Sequence, residues 1–212
     1  MDKKDIKEYI DRYTGRYNEF GVSPETLGWG KNGKQAIRFT VLSEYALSEN
    51  ASVLDVGCGF GDLYKFMKDA GWDSNYHGID IVPVLLDEAK KLYPEIKLEN
   101  KDISKDFVES ADYVIASGIF NAALSEEPNE DHIERSVSKM FEVCNKAVCV
   151  DFMSTYVDFQ KEGSWHTSPE WAFSMAKKLS KRVILRNDYM PFEFSLIIFK
   201  YDSIDSSVFK LF

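Results

Sequence analysis

The chain has 212 residues, a length that suits one domain or one domain with a modest lid. Lysine and arginine number 26 against 35 aspartates and glutamates, a net charge of −9 that argues against a broad nucleic-acid or anionic-membrane surface. Hydrophobic residues at 44% are enough for a packed core, and aromatics reach 14%. Three cysteines at unrelated spacings offer neither a disulfide framework nor a metal cluster, so no metal is expected. Internal repeats and low-complexity tracts are absent. No apolar run reaches the ~18 residues of a membrane span, and the opening MDKKDIKEYIDRY lacks the pattern of a signal peptide. The expectation is a soluble, cytoplasmic protein, a monomer or homodimer, without a membrane partner.

Along the chain, Ile6, Tyr9, Ile10 and Tyr13 recur at helical spacing within a charged stretch, which predicts an amphipathic helix over residues 1–20. Gly28-Trp29-Gly30-Lys31-Asn32-Gly33 breaks that pattern, and a second helix is predicted from about Lys34 to Leu47. Residues 1–48 are read as an N-terminal helical cap and 49–212 as the core.

From Ser52 short apolar runs alternate with helical patterns, the texture of βα units on a parallel sheet. SVLDV, YHGIDI, IKLEN, ADYVIAS and KAVCVDF read as five strands. Helices are predicted at Asp62–Ala70, from Pro83, and at Asp131–Cys144. Ser168 before Pro169 is an N-cap ahead of a first-turn proline and predicts a helix through Leu179. KRVILRN and FEFSLIIFK follow with only a short connection. A parallel crossover cannot fit there, so these last two strands are expected to be antiparallel neighbours.

The strongest local signal is Asp55-Val56-Gly57-Cys58-Gly59-Phe60-Gly61, between a strand and a helix. Glycines there let the backbone turn tightly and approach a ligand at the carboxyl ends of the strands. Asp80 ends the next strand, 19 residues past Gly61, and suits a ribose diol. The glycines alternate, unlike the Gly-x-Gly-x-x-Gly of dinucleotide sites, and Asp62 places a negative charge where a pyrophosphate would sit. Asp55 adds a second carboxylate. A cationic adenosine ligand tolerates both, so charge favours S-adenosylmethionine over a nicotinamide cofactor.

VLDVGCGFG, GID at Asp80, NKDI at Asp102 and DYVIASG together resemble the successive motifs of class I S-adenosylmethionine-dependent methyltransferases, over roughly residues 35–200. The resemblance implies a Rossmann-like α/β fold with a mostly parallel seven-stranded sheet, helices on both faces and a C-terminal antiparallel hairpin. It implies that Asp55, Gly57 and Gly59, with Cys58 as a small filler, surround the methionine part of the donor. Asp80 would hold the ribose beside Ile81, Asp102 and Ile103 the adenine, and Ser117 with Gly118 would lie near the methyl group. Trp29 and Arg38 fall where many small-molecule members carry their N-terminal cap. Arg38 has two readings: a partner for the methionine carboxylate, or an ordinary surface salt bridge.

Members that methylate adenine or cytosine amines carry an Asn/Asp-Pro-Pro-aromatic motif after the fourth strand, whereas this chain has Ser117-Gly118-Ile119-Phe120-Asn121. A small-molecule acceptor is therefore expected, at oxygen more than nitrogen. The aromatic-rich loop around 152–167 is read as a substrate lid, or as packing over the sheet edge. His166 is the candidate general base, with a hydrogen-bonded or exposed loop histidine as the competing reading. Asn121 is a candidate for positioning a hydroxyl, and Asp151 either orients substrate or caps a turn. His77 is expected to pack in its strand, His132 to face solvent, and Cys144 and Cys149 to be buried. Three readings of function stay open beside the small-molecule enzyme: a nicotinamide-dependent reductase, a donor-binding partner subunit without activity, and a methyltransferase acting on protein or RNA.

Overall fold

A computed structural model describes residues 1–29 and 34–203. Residues 30–33, with Gly30 and Gly33, and residues 204–212 lie outside the described residues. Two helices come first, α1 (Lys3–Phe20) and α2 (Lys34–Glu49). Then β1 (Val53–Val56), α3 (Asp62–Asp69), β2 (Tyr76–Asp80), α4 (Pro83–Leu92) and β3 (Lys97–Asn100) alternate. They are followed by β4 (Ala111–Ala116), α5 (Asn129–Val143), β5 (Cys144–Met153), α6 (Pro169–Leu179), β6 (Val183–Arg186) and β7 (Glu193–Phe199).

The strands form one seven-stranded sheet in the order β3-β2-β1-β4-β5-β7-β6. β1 pairs in parallel with both β2 and β4, and β4 in parallel with β5. β7 is antiparallel to β6, as the short connection between them requires, and antiparallel to β5 as well. It slots between its two neighbours, so β6 becomes the edge. The sequence carries this difference: EFSLIIF is buried at every position, whereas VILR is only half-covered.

Both faces of the sheet are covered by helices. On one face Ile133, Val137 and Met140 of α5 and Ala172, Met175 and Ala176 of α6 pack against Val114, Val148 and Leu196. On the other, Leu42 and Ala46 of α2 join Leu63 and Met67 of α3 over Val53, Ile115 and Ile197. The two central strands are consequently apolar almost throughout. α2 therefore belongs to the helical layer of the core. Of residues 1–48, it is α1 that lies across the carboxyl ends of the strands, where Ile10, Tyr13 and Tyr17 pack on Phe60, Val82 and Leu85. α1 starts with Asp2, whose carboxylate accepts from the Lys4 N–H at 2.8 Å. α6 starts with Ser168, accepting from Trp171 N, and Pro169.

β5 continues through Phe152 and Met153, so the lid begins at Ser154. It is pinned by short bridges, Ser154 with Thr167 and Ala122 with Ser164. None of the described helices is long and apolar enough to cross a membrane.

Candidate active site

Because β1 is flanked by β2 on one side and β4 on the other, the chain leaves β1 and returns at β4 in opposite directions across the sheet. A crevice opens there, beyond the carboxyl ends. In this structure it is a cavity of about 650 Å³, and its floor is the β1–α3 loop. Gly57 has φ +75°, and its N–H donates to the Ile79 carbonyl at 2.8 Å. A Cβ on Gly57 would stand 2.3 Å from Ile119 Cγ2, so the backbone comes this close to the β4–α5 segment only because no side chain intervenes. Gly118 is pressed in the same way by the Trp29 ring, 2.6 Å from where its Cβ would be.

Four aspartates line the crevice. Asp80 is buried. Its Oδ2 accepts from Gly59 N at 2.9 Å and its Oδ1 from Val82 N at 2.8 Å, which fixes the carboxylate and leaves lone pairs for a ligand's hydroxyls. Burial raises its pKa, and the backbone N–H donors work against that rise. Asp55, next to last in β1, accepts from the Tyr76 hydroxyl at 2.5 Å. Burial pushes its carboxyl up to about 7, with the Tyr76 bond opposing. Asp62 accepts from Gln35 Nε2 at 3.1 Å, and burial raises it too. Asp102 accepts from Ser104 N and Oγ at 2.9 and 2.7 Å, and its Oδ2 lies 3.3 Å from the Met1 amine. Hydrogen bonds from Ser104, aided by that amine, outweigh the burial that opposes them and lower its pKa. Ile81, Ile103 and the buried Cys58 line the same space; Cys58 packs on Gly78.

At the β4 end, Ser117 Oγ donates to Asp151 Oδ2 at 2.6 Å and Gly118 N to Asp151 Oδ1 at 2.7 Å. Asp151 thus holds the turn that borders the cavity; it does not face it, and burial lifts its pKa to about 6. Arg38 is buried, neither free nor at the surface. Its guanidinium grips Glu193 with two nitrogens, sits 4.0 Å from Asp151, and stacks 4.4 Å from the centre of the Trp29 ring. A surface salt bridge is thereby ruled out, and a ligand carboxylate would have to compete with a fork–fork pair already made.

Of the histidines, His166 follows its competing reading, a hydrogen-bonded loop residue, and His132 departs from expectation. His166 Nδ1 donates to the Ser154 carbonyl at 2.8 Å, Nε2 is buried with no hydrogen-bond partner, and the residue is not part of the cavity wall. An imidazole turned into its own loop cannot reach an acceptor, so the geometry withholds the base role. His132, expected to face solvent, is buried on α5 and does line the cavity, together with Ser136 one turn on. Burial lowers its pKa to about 4, so it is neutral at pH 7. The signal for this was present in the sequence. His132 and Ser136 stand beside Ile133, Val137 and Met140, which give the buried stripe of that helix.

Asn121 lines the cavity while its Oδ1 accepts from Met153 N at 3.1 Å, so its amide N–H groups are what it can offer. The lid's aromatics do not line the wall. Tyr156 and Phe159 are 65% and 78% exposed, and Trp165 packs on the core. Aromatic lining comes instead from Tyr9 and Tyr13 of α1 and from Trp29. His77 sits beside Glu99, 2.6 Å from Nε2 to Oε2, in the strand where it was expected, and Cys144 and Cys149 are buried.

A glycine-looped crevice at the switch point of such a sheet, ringed by carboxylates, has the layout of a nucleoside-cofactor site suited to a cationic ligand. Comparison with known proteins makes this specific. A family model described as a methyltransferase domain matches residues 53–147. A Mycobacterium tuberculosis protein assigned as a methyltransferase, Rv1506c, is 29% identical over 160 residues, 70% of this chain and 93% of its own length. The aklanonic acid methyltransferase DauC of Streptomyces is 32% identical over 99 residues, 46% of this chain and 41% of that protein. Among solved structures, the magnesium protoporphyrin IX methyltransferase of Synechocystis superposes with a TM-score of 0.68 at 14% identity, over 94% of this chain and all of that one. At that identity the likeness concerns the fold. Together these matches support a class I S-adenosylmethionine-dependent methyltransferase, with S-adenosylmethionine as its cofactor. The residues present fit that group: the loop leaves room where a Cβ would close it, and anchored carboxylates face the space a sulfonium compound would enter.

Proposed function

We propose that this enzyme methylates a small-molecule acceptor, at oxygen rather than nitrogen. The observation that carries the reading is the roof. Tyr9 of α1, its hydroxyl donating to the Ile119 carbonyl at 3.2 Å, and Trp29 against Gly118 close the crevice over the floor carboxylates. What remains is a chamber of about 650 Å³, within the ~300–1,000 Å³ range of small-ligand sites.

When bound, the cofactor supplies a methyl carbon made electrophilic by its sulfonium. Asp80 is assigned to the ribose hydroxyls, Asp102 and Ile103 to the adenine, and Asp55, Gly57 and Gly59 to the methionine end. Asp151 works through Ser117 and Gly118, holding that turn beside the reacting carbon. Transfer by in-line displacement depends on alignment and the exclusion of water more than on covalent help. Tyr9, Trp29 and Ile119 shield the chamber, and Asn121 can donate to an acceptor oxygen.

Calorimetric titration with S-adenosylmethionine and NADH, followed by detection of S-adenosylhomocysteine with phenols, carboxylates and amines, tests this. The expected result is donor binding without NADH binding, and product with an oxygen acceptor. Product formed only with protein or RNA would refute the small-molecule reading.

A further inference from the structure

In a chain with a net charge of −9, the α1 wall of the cavity carries arginines. Tyr9, Arg12, Tyr13 and Arg16 follow the i, i+3, i+4, i+7 spacing of one helix face, and all four line the cavity. Arg12 lies over the Tyr9 ring at 5.4 Å and Arg16 over Tyr13 at 5.7 Å. Among the described residues no carboxylate comes within ion-pairing distance of either guanidinium, although two other cations of the cavity wall are paired. Arg38 is gripped by Glu193, and Lys101 lies 2.9 Å from Glu99. Lys34 and Lys161 stand at the rim, with Glu162 as the one opposing rim charge. The carboxylates of the floor are held by their own donors, from Gly59, Val82, Tyr76, Ser104 and Gln35.

Half-buried guanidinium groups stacked on aromatic rings and lacking an anion are preorganised to bind one, because planar forks match carboxylates and little rotamer freedom remains to be lost. A second observation agrees. His166 is turned away from the cavity, and Tyr9 and Tyr13 have their hydroxyl pKa values raised, chiefly by burial, so they stay protonated. An acceptor that arrives already ionised has no need of a base.

Resting on the proposed small-molecule reading, we infer that the acceptor is an aromatic carboxylate, drawn in and oriented by Arg12 and Arg16, and that the product is its methyl ester. A carboxylate oxygen forms the new C–O bond as the C–S bond breaks. The bonding pair stays on sulfur, which becomes the neutral thioether of S-adenosylhomocysteine, and no proton is taken or released. The rings of Tyr9, Tyr13 and Trp29 supply the flat apolar walls that favour an aromatic body over an aliphatic one.

The test uses the full chain saturated with S-adenosylhomocysteine and three matched pairs: benzoate with benzamide, 1-naphthoate with 1-naphthamide, and phenylacetate with phenylacetamide. Calorimetry is expected to show at least one carboxylate binding about tenfold or more tighter than its amide, the scale of a charge-assisted hydrogen bond. Arg12→Gln with Arg16→Gln should erase that preference while S-adenosylhomocysteine affinity stays within about twofold, since the floor residues are untouched. With methyl-tritiated donor, label in the product should be released as methanol by mild alkali, as from an ester. Equal binding of acid and amide in every pair, alkali-stable label, or loss of S-adenosylhomocysteine affinity in the double variant would each overturn the inference. Failure of the wild-type chain to bind S-adenosylhomocysteine at all would strike the proposed function itself, which keeps the two failures apart.

Discussion

Replacing Gly57 by alanine probes the contact on which the crevice depends. At φ +75° a residue with a Cβ pays about 1–2 kcal/mol in torsional strain. The new methyl would also meet Ile119 Cγ2 at 2.3 Å, an overlap that forces side-chain and backbone shifts costing about 1–3 kcal/mol. Together these predict a loss of about 2–5 kcal/mol, and in a chain of this size each kcal/mol lowers Tm by about 2–4 °C. Gly163→Ala is the control. It has nearly the same φ, +73°, and nothing within 4 Å of its Cβ, so it should show the torsional part alone. Urea midpoints and thermal melts of both variants give the difference. Adding Ile119→Ala to Gly57→Ala should recover the steric part, seen as a favourable coupling of about 1–3 kcal/mol in a double-mutant cycle. If Gly57→Ala is no worse than Gly163→Ala, and the cycle shows no coupling, the close approach of loop and β4–α5 segment is not what holds the site together.

Other changes have definite signs. Arg38→Gln strands Glu193 beside Asp151 without their guanidinium and should cost about 3–5 kcal/mol in urea unfolding; a variant as stable as wild type would contradict the buried pair. The Asp55 carboxyl, at about 7 against an ordinary 3.8, takes up protons more readily in the fold, so it erodes stability as pH rises from about 4 through 7. A cationic donor prefers the ionised form, so affinity for S-adenosylmethionine should climb from pH 6 to 8 more steeply than affinity for S-adenosylhomocysteine, and Asp55→Asn should level the two slopes. His132 has the opposite sign. Its depressed value, about 4, means that stability present above 6.5 drains away as pH falls through 4, and His132→Gln should flatten that acid limb in melts recorded from pH 7 to 4. His166→Ala should leave the pH profile of turnover unchanged, because its ring bonds Ser154 outside the cavity; a lost basic limb would restore it as a base.

The architecture was legible wherever a signal is local. Strands such as VLDV and DYVIA are mostly apolar, each broken by a single aspartate, because both sheet faces are covered, and proline and serine marked helix starts from within one turn. The antiparallel ending followed from a connection too short for a crossover. Donor-site candidates were legible for the same reason: Asp55, Asp80 and Asp102 each sit within two residues of a strand's carboxyl end, and those ends converge on one crevice. The acceptor side was not. His166 was the natural base by residue type, but the direction of its ring is set by the Ser154 carbonyl 12 positions earlier. His132 was misread because a charged first turn, Asn129-Glu130-Asp131, concealed that its own side chain lies on the buried stripe.

By itself, then, the sequence determined the α/β sheet, the glycine loop and the order of carboxylates along it, since periodicity, turn chemistry and strand ends are read over a few residues. Tertiary structure alone decided that β7 enters between β5 and β6 and that α2 joins the core while α1 crosses the crevice. It also decided that Arg38 is spent on Glu193 whereas Arg12 and Arg16 face the cavity. Those outcomes depend on which distant partner each side chain meets, and a guanidinium's availability is a property of its neighbours in space, 155 positions away for Arg38, and of none beside it in the chain.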